Sequence, residues 1–140
     1  MNVAELLVDL TSSTNAIIRS VASKLDLTVS QAFHLLSIPF DGIPMSRLAH
    51  RLGLDNSTLT RNIQKLEKMG LVDRSADNYD RRIQRVILSK KGASLLTLLE
   101  GRLEQQGNDV LDQIDLETQE HLVTVLEKLT WALGVAREKP

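Results

Sequence analysis

Two polar clusters in this sequence have the residue types and spacing to hold a polyanion. The first is "NSTLTRNIQKLEK", residues 56 to 68. At about 100 degrees per residue on a helix, Leu59, Ile63 and Leu66 share one face. Ser57, Arg61, Gln64 and Lys68 then point the opposite way, with Thr58, Thr60 and Lys65 on the shoulders. Hydroxyls and backbone amides near a helix start suit phosphates, and Arg and Gln farther along are long enough to reach guanine or adenine edges in a major groove. Any surface helix also shows a polar outer face, so this segment alone leaves both readings open.

The second cluster is "YDRRIQR", residues 79 to 85, between two β-prone runs. An arginine-tipped β-ribbon fits along a minor groove, where a narrow A/T-rich tract strengthens the negative potential. Asp80 is close enough in sequence to orient Arg82, leaving Arg81 and Arg85 for phosphates. The bland reading is a solvated hairpin tip whose ion pair contributes little.

The elements that must carry these clusters are legible from periodicity and caps. Leu7, Leu10, Ile17, Ile18, Val21 and Leu25 recur at helical spacing between Ala4 and about Leu25, so one helix is expected there, with "TSSTN" a weak middle where it could bend. Thr28 followed by Gln31 is a capping-box pattern that opens a second helix, and Pro39 closes it. "FDGIP" reads as a connector. "MSRLAHRLG" fits a short third helix ended by Gly53. The fourth follows at once, with Asp55 as N-cap, Leu54 and Leu59 as a hydrophobic staple, and Gly70 just past its end. Two helices joined by about three residues are the sequence form of a helix-turn-helix.

"LVDRS" and "IQRVILS" then read as an antiparallel hairpin around "ADNYDRR". Ser89 caps a long helix through "KKGASLLTLLEGRLEQQGNDVLDQ", and Asp115 caps a last one bearing Leu122, Val125, Leu126, Leu129 and Leu133. The expected fold is mainly α (α+β), a winged helix-turn-helix of about residues 29–92, with helices from about 1–28 and 93–140 forming a dimerisation region within a single domain. The terminal helices carry more leucine than one small domain needs, which implies packing against a second copy. A monomer with a helical cap is the alternative.

Bulk properties narrow the function. The net charge of −1 conceals an asymmetry: Pro44 to Gly92 holds eleven Lys/Arg against five acids, and the flanks hold six against thirteen. A basic middle between acidic ends gives a local field for a polyanion in an otherwise neutral chain. There is no cysteine, which excludes disulfides, thiolate chemistry and Cys-based zinc sites, and suits a reducing cytoplasm. Acidic residues near the start and no strictly apolar run longer than three residues argue against a signal peptide and a membrane span.

His34, His50 and His121 lie far apart without ligand-like spacing, so no metal and no cofactor is expected. No Walker A, GxGxxG, GxSxG or HExxH motif occurs, and the chain does not read as an enzyme. Tyr79 is the only aromatic in the basic segment, which favours duplex over single-stranded nucleic acid.

Met45 to Gly92 resembles the signature region of the MarR family of bacterial transcription regulators. That family's helix-turn-helix ends in L-E-x-x-G-L-V-x-R, matched by Leu66, Glu67, Gly70, Leu71, Val72 and Arg74. Its wing has a D-x-R tip, matched by Asp80 and Arg82, and an L-[ST]-x-x-G return, matched by Leu88, Ser89 and Gly92. Asn78 and Tyr79 depart from the Pro and acid common in the family, and Pro44 from its usual Ser or Thr cap. The resemblance implies a cytoplasmic homodimer whose first and last helices interlock, binding a pseudo-palindromic operator in double-stranded DNA, commonly as a repressor released by a small-molecule effector. Carried over, Ser57, Thr58, Thr60, Arg61, Gln64 and Lys65 match the recognition helix, and Asp80 and Arg82 the wing tip, with Arg81 beside them. A winged-helix protein-interaction module without DNA affinity is the alternative.

Overall fold

The computed structural model describes residues 1–138, so the last two residues of the expected dimerisation region lie outside the described residues. Helix α1 (Val3–Ser23) starts at Asn2, whose side chain accepts from the Glu5 N–H while Glu5 accepts from the Asn2 N–H, a capping box absent from the sequence expectation. "TSSTN" does not interrupt it. Thr11 and Thr14 donate their hydroxyls to the Leu7 and Leu10 carbonyls one turn back, both at 2.7 Å, which satisfies them inside the helix. The helix ends two residues before Leu25, and Asp26 takes a positive φ of 57° in the turn. Helix α2 (Val29–Ser37) has the expected Thr28–Gln31 capping box.

The connector "FDGIP" contains a strand that the sequence reading missed. Ile43–Pro44 forms β1, which pairs antiparallel with the wing: Ile43 opposite Val86 and Pro44 opposite Arg85. Two residues are too few for an alternating pattern, and a proline argues against a strand unless it lies at an edge. After α3 (Met45–Leu52) and α4 (Asn56–Lys68) come β2 (Val72–Ala76) and β3 (Gln84–Leu88), giving a sheet of order β1-β3-β2. Helices α5 (Lys90–Leu111) and α6 (Leu116–Arg137) complete the order.

The chain divides into two compact units, with the boundary at Leu103 inside α5. The first unit holds the core. Ile18, Val21 and Ala22 of α1, Ala32 and Leu35 of α2, Leu48 of α3, Leu59, Ile63 and Leu66 of α4, Val72 and Val86 of the hairpin and Leu99 of α5 belong to one buried cluster. Both expected staple residues join it, Leu59 fully buried and Leu54 at its margin. In the second unit Asp115 caps α6 by accepting from the Thr118 N–H at 2.9 Å, and the Gln119 amide donates to the Leu111 and Ile114 carbonyls across the turn. No described residue of α6 is buried. No helix among the described residues is long and apolar enough to cross a membrane.

Candidate nucleic-acid interface

Helix α4 is positioned by its cap and by its apolar face. Asp55 Oδ1 accepts from the Thr58 N–H at 2.8 Å, and Thr58 Oγ1 donates to Asp55 Oδ2 at 2.9 Å. These two bonds hold the Asp55 carboxyl below the usual carboxylate range, with Arg61 adding to the effect. Leu59, Ile63 and Leu66 face the core as the periodicity required. The opposite face presents Ser57, Arg61, Gln64, Lys65 and Lys68, all exposed. Thr58 and Thr60 are half-buried, and their hydroxyls bond to Asp55 and to the Asn56 carbonyl. They serve the helix start itself, and Thr58 Oγ1 also accepts from the Arg61 guanidinium at 3.4 Å.

The wing tip is organised by Asp77, a residue the sequence reading did not single out. Its Oδ2 accepts from the Tyr79 and Asp80 N–H groups at 2.9 and 3.0 Å, the Asx-turn arrangement that aspartate favours, and these bonds lower its pKa. The signal was present in the Asp-Asn-Tyr order at a loop start. Across the loop base the Asp77 N–H donates to the Ile83 carbonyl at 2.8 Å.

On this frame Asp80 does orient Arg82. Its Oδ1 accepts from both the Arg82 backbone N–H and Nε at 3.0 Å, and Oδ2 accepts from Nη2 at 2.9 Å. The carboxyl is held below its ordinary range chiefly by that side-chain pair, and the guanidinium pKa is raised for the same reason. Arg82 nonetheless remains 90% exposed, while the Asp80 side chain is 34% exposed. The pair therefore fixes a direction without burying the charge, and a surface pair of this kind adds little to stability. Arg81 is exposed beside it.

Arg85 is not available for phosphates as expected. Its guanidinium donates to Asp77 Oδ1 at 3.4 Å and to the Asp41 carbonyl at 3.3 Å, bracing the wing against the segment before β1. Other cations of the basic middle also serve the fold. Arg51 donates to the Ser37 carbonyl, Lys91 donates to the Met69 carbonyl, and Arg74 lies 2.7 Å from Glu67. That last contact joins the end of α4 to β2 and is Coulombic rather than a well-directed hydrogen bond. Arg47, Arg61, Lys65, Lys68, Arg81 and Lys90 remain exposed.

Behind the wing, Ser89 ties the hairpin to α5. Its N–H donates to the Leu71 carbonyl at 3.0 Å, its hydroxyl to the Gly70 carbonyl, and its Oγ accepts from the Gly92 N–H at 3.0 Å. Gly70, at φ 75°, makes the left-handed turn out of α4 that a side chain would strain. Among the described residues no cluster of His, Cys, Asp or Glu could hold a metal.

Residues 27–84 match the MarR family's sequence model, a span that contains α2 to α4, β1, β2 and the wing tip. Solved structures agree in fold. Wild-type apo MarR from E. coli is 23% identical, with 92% of this chain and 97% of that one covered and a TM-score of 0.80. A MarR mutant from E. coli complexed with operator DNA is 23% identical, with 90% and 91% covered and a TM-score of 0.75. The MepR–DNA complex from S. aureus is 18% identical, with 94% and 98% covered and a TM-score of 0.77. Over residues 27–84 the chain is thus similar to the MarR family, and it shares the fold of the MarR and MepR structures.

Proposed function

We propose that the chain is a non-enzymatic, cytoplasmic transcription regulator that binds duplex DNA as a homodimer. Helix α4 enters a major groove with Ser57, Arg61, Gln64 and Lys65 toward the bases and backbone, and the wing lays Arg82, with Arg81 beside it, into the flanking minor groove. The observation that carries this reading is the Asp80-held, solvent-exposed Arg82 on the same small domain as that polar helix face. The MarR and MepR structures solved with DNA support it by fold.

Pairing of two chains through the terminal helices is supported by the apolar residues they leave in solvent. In α1 these are Val3, Leu6, Val8 and Leu10; in α6 they include Val123, Leu126, Trp131 and Leu133. Two copies related by a twofold axis would read a pseudo-palindromic site.

A repressor role relieved by a small molecule is supported by a cavity of about 520 Å³ in the first unit. Leu36, Phe40, Leu88, Leu96 and Ala93 line it beside Arg51 and Glu100. Its volume falls in the range of small-molecule sites.

The direct test is binding to the gene's own upstream duplex, by fluorescence anisotropy at about 50 mM salt, with affinity falling steeply as salt rises. No binding at micromolar protein would leave the protein-interaction module as the reading. The polar outer face of α4 disfavours that alternative, because protein-binding faces expose apolar anchors.

A further inference from the structure

His34 and Asn62 join α2 to α4 through a hydrogen bond that one ring state supports. His34 is 2% exposed, the only polar side chain among the described buried residues. Its Nδ1 lies 2.6 Å from the Ser30 carbonyl, one turn back on α2, and its Nε2 lies 3.2 Å from Asn62 Nδ2. A carbonyl only accepts, so the ring proton sits on Nδ1. Nε2 is then a bare acceptor, filled by the Asn62 carboxamide N–H.

Asn62 stands on α4 between exposed Arg61 and buried Ile63, at the edge of the face that presents Arg61 and Lys65. Apolar packing of Leu59, Ile63 and Leu66 holds α4 down, but it is non-directional and tolerates small rotations. The His34–Asn62 bond is directional. It fixes how far α4 is turned about its own axis relative to α2.

We propose that His34 is a positioning residue for DNA recognition: through Asn62 it sets the rotation of α4, and it does so in its neutral Nδ1–H form, so DNA affinity declines as the ring gains a proton. This role rests on the DNA-binding reading above.

Burial disfavours the charged ring, partly offset by the Ser30 carbonyl, so its pKa lies below the ordinary histidine value and the ring is neutral near pH 7. Beside the ring is a cavity of about 130 Å³ bordered by Thr28, Gln31, Asn62 and Lys65. Lys65 is the one charged side chain among its lining residues. A protonated Nε2 would turn an N–H toward the Asn62 N–H and add a second positive charge near Lys65. Turning the carboxamide over supplies an acceptor, but the cation stays in a site where burial penalises it. Relief comes from moving α4 away. The sign follows: the Asn62 N–H to Nε2 bond stands above the ring's pKa and, as pH falls through it, gives way to a charged ring that burial disfavours.

The experiment compares binding of the full chain to its upstream duplex at about pH 7.5 and about pH 5.5, at fixed ionic strength, each protein normalised to its own higher-pH value. Wild type should weaken on acidification, the loss growing as pH falls through the ring's pKa. His34→Gln, which has no titrating ring, should show no such loss. An equal decline in both proteins overturns the proposal.

A second arm needs no DNA. Side-chain ¹⁵N correlation spectra at about pH 7.5 should show His34 with its proton on Nδ1. In Asn62→Asp the new carboxylate should accept from the charged ring and shift its titration to higher pH. An Nε2–H tautomer, or an unchanged titration in Asn62→Asp, overturns the latch even if His34→Gln fails to fold. Correct spectra with no duplex bound at either pH would instead overturn the DNA reading and, with it, this role.

Discussion

The backbone carbonyl of Leu71 occupies the place where a Cβ on Gly92 would sit. Gly92 is buried in the first turn of α5, and the same carbonyl accepts the Ser89 N–H. The neighbour is main chain held by a hydrogen bond, so it cannot swing aside as a flexible side chain would. Alanine favours a helix over glycine by about 1 kcal/mol, but here the clash outweighs that gain. Gly92→Ala should lose about 2 kcal/mol or more by urea denaturation, as overpacked sites do. Gly101→Ala in the same helix meets nothing within 4 Å and should be neutral or stabilising by up to about 1 kcal/mol. Equal effects at the two positions would mean the close approach at Leu71 is relieved at little cost.

Arg82→Ala should weaken operator binding by about 1 to 3 kcal/mol and leave the association state unchanged. Asp80→Ala should lose less, because Arg82 keeps its charge and loses its fixed direction. Anisotropy titrations of the two variants at one salt concentration separate charge from orientation.

Asp77→Ala should release the wing loop without unfolding the domain. The Tyr79 and Asp80 amides lose their acceptor and Arg85 loses one partner, so amide exchange at 79 and 80 should quicken while the circular dichroism is retained. DNA affinity should fall as well, although Asp77 carries no charge favourable to phosphate. An unchanged affinity would show that the loop needs no frame.

Acid should act on the same carboxylates. Asp55, Asp77, Asp80 and Asp115 all have pKa values lowered in the fold, chiefly by hydrogen bonds to the ionised form. A depressed folded-state pKa stabilises above the ordinary aspartate value of 3.8 and ceases to do so as pH falls below it. Thermal stability measured down the pH scale should thus drop below about pH 4, where caps and wing frame protonate together. Asp77→Asn should blunt the wing's part of that drop.

Leu126→Glu should dissociate the proposed dimer. Leu126 and Trp131 line one shallow apolar depression on α6, and Trp131 is 72% exposed in the single chain. Light scattering should report monomers at micromolar concentration for the variant. Trp131 emission should lie further to the red than in wild type, where a partner would cover it. Identical mass and emission in both proteins would place the pairing surface elsewhere.

How much the sequence disclosed depended on the range of each interaction. Thr28, Asp55, Asp115 and Gly70 were legible because a cap or a helix stop is decided within three or four residues. The Asp80–Arg82 pair was legible for the same reason. Arg85 was misjudged because one of its two partners, the Asp41 carbonyl, is brought to it only by pairing of β1 with β3 across the fold. His34 gave no periodic sign beyond a place on α2, and its role depends on Asn62, 28 residues away. The single helix expected through "TSSTN" is present, because hydroxyls that bond one turn back are compatible with an unbroken α1.

The edge strand β1 has a consequence for crowding on a shared template. It is two residues long and ends in Pro44, which has no N–H to offer a passing strand, and the other edge, β2, carries Asp73 and Arg74. Such edges resist zipping onto a neighbour's sheet. Copies gathered side by side along one stretch of DNA would thus meet through their side chains rather than by β-sheet extension, leaving each wing sheet intact.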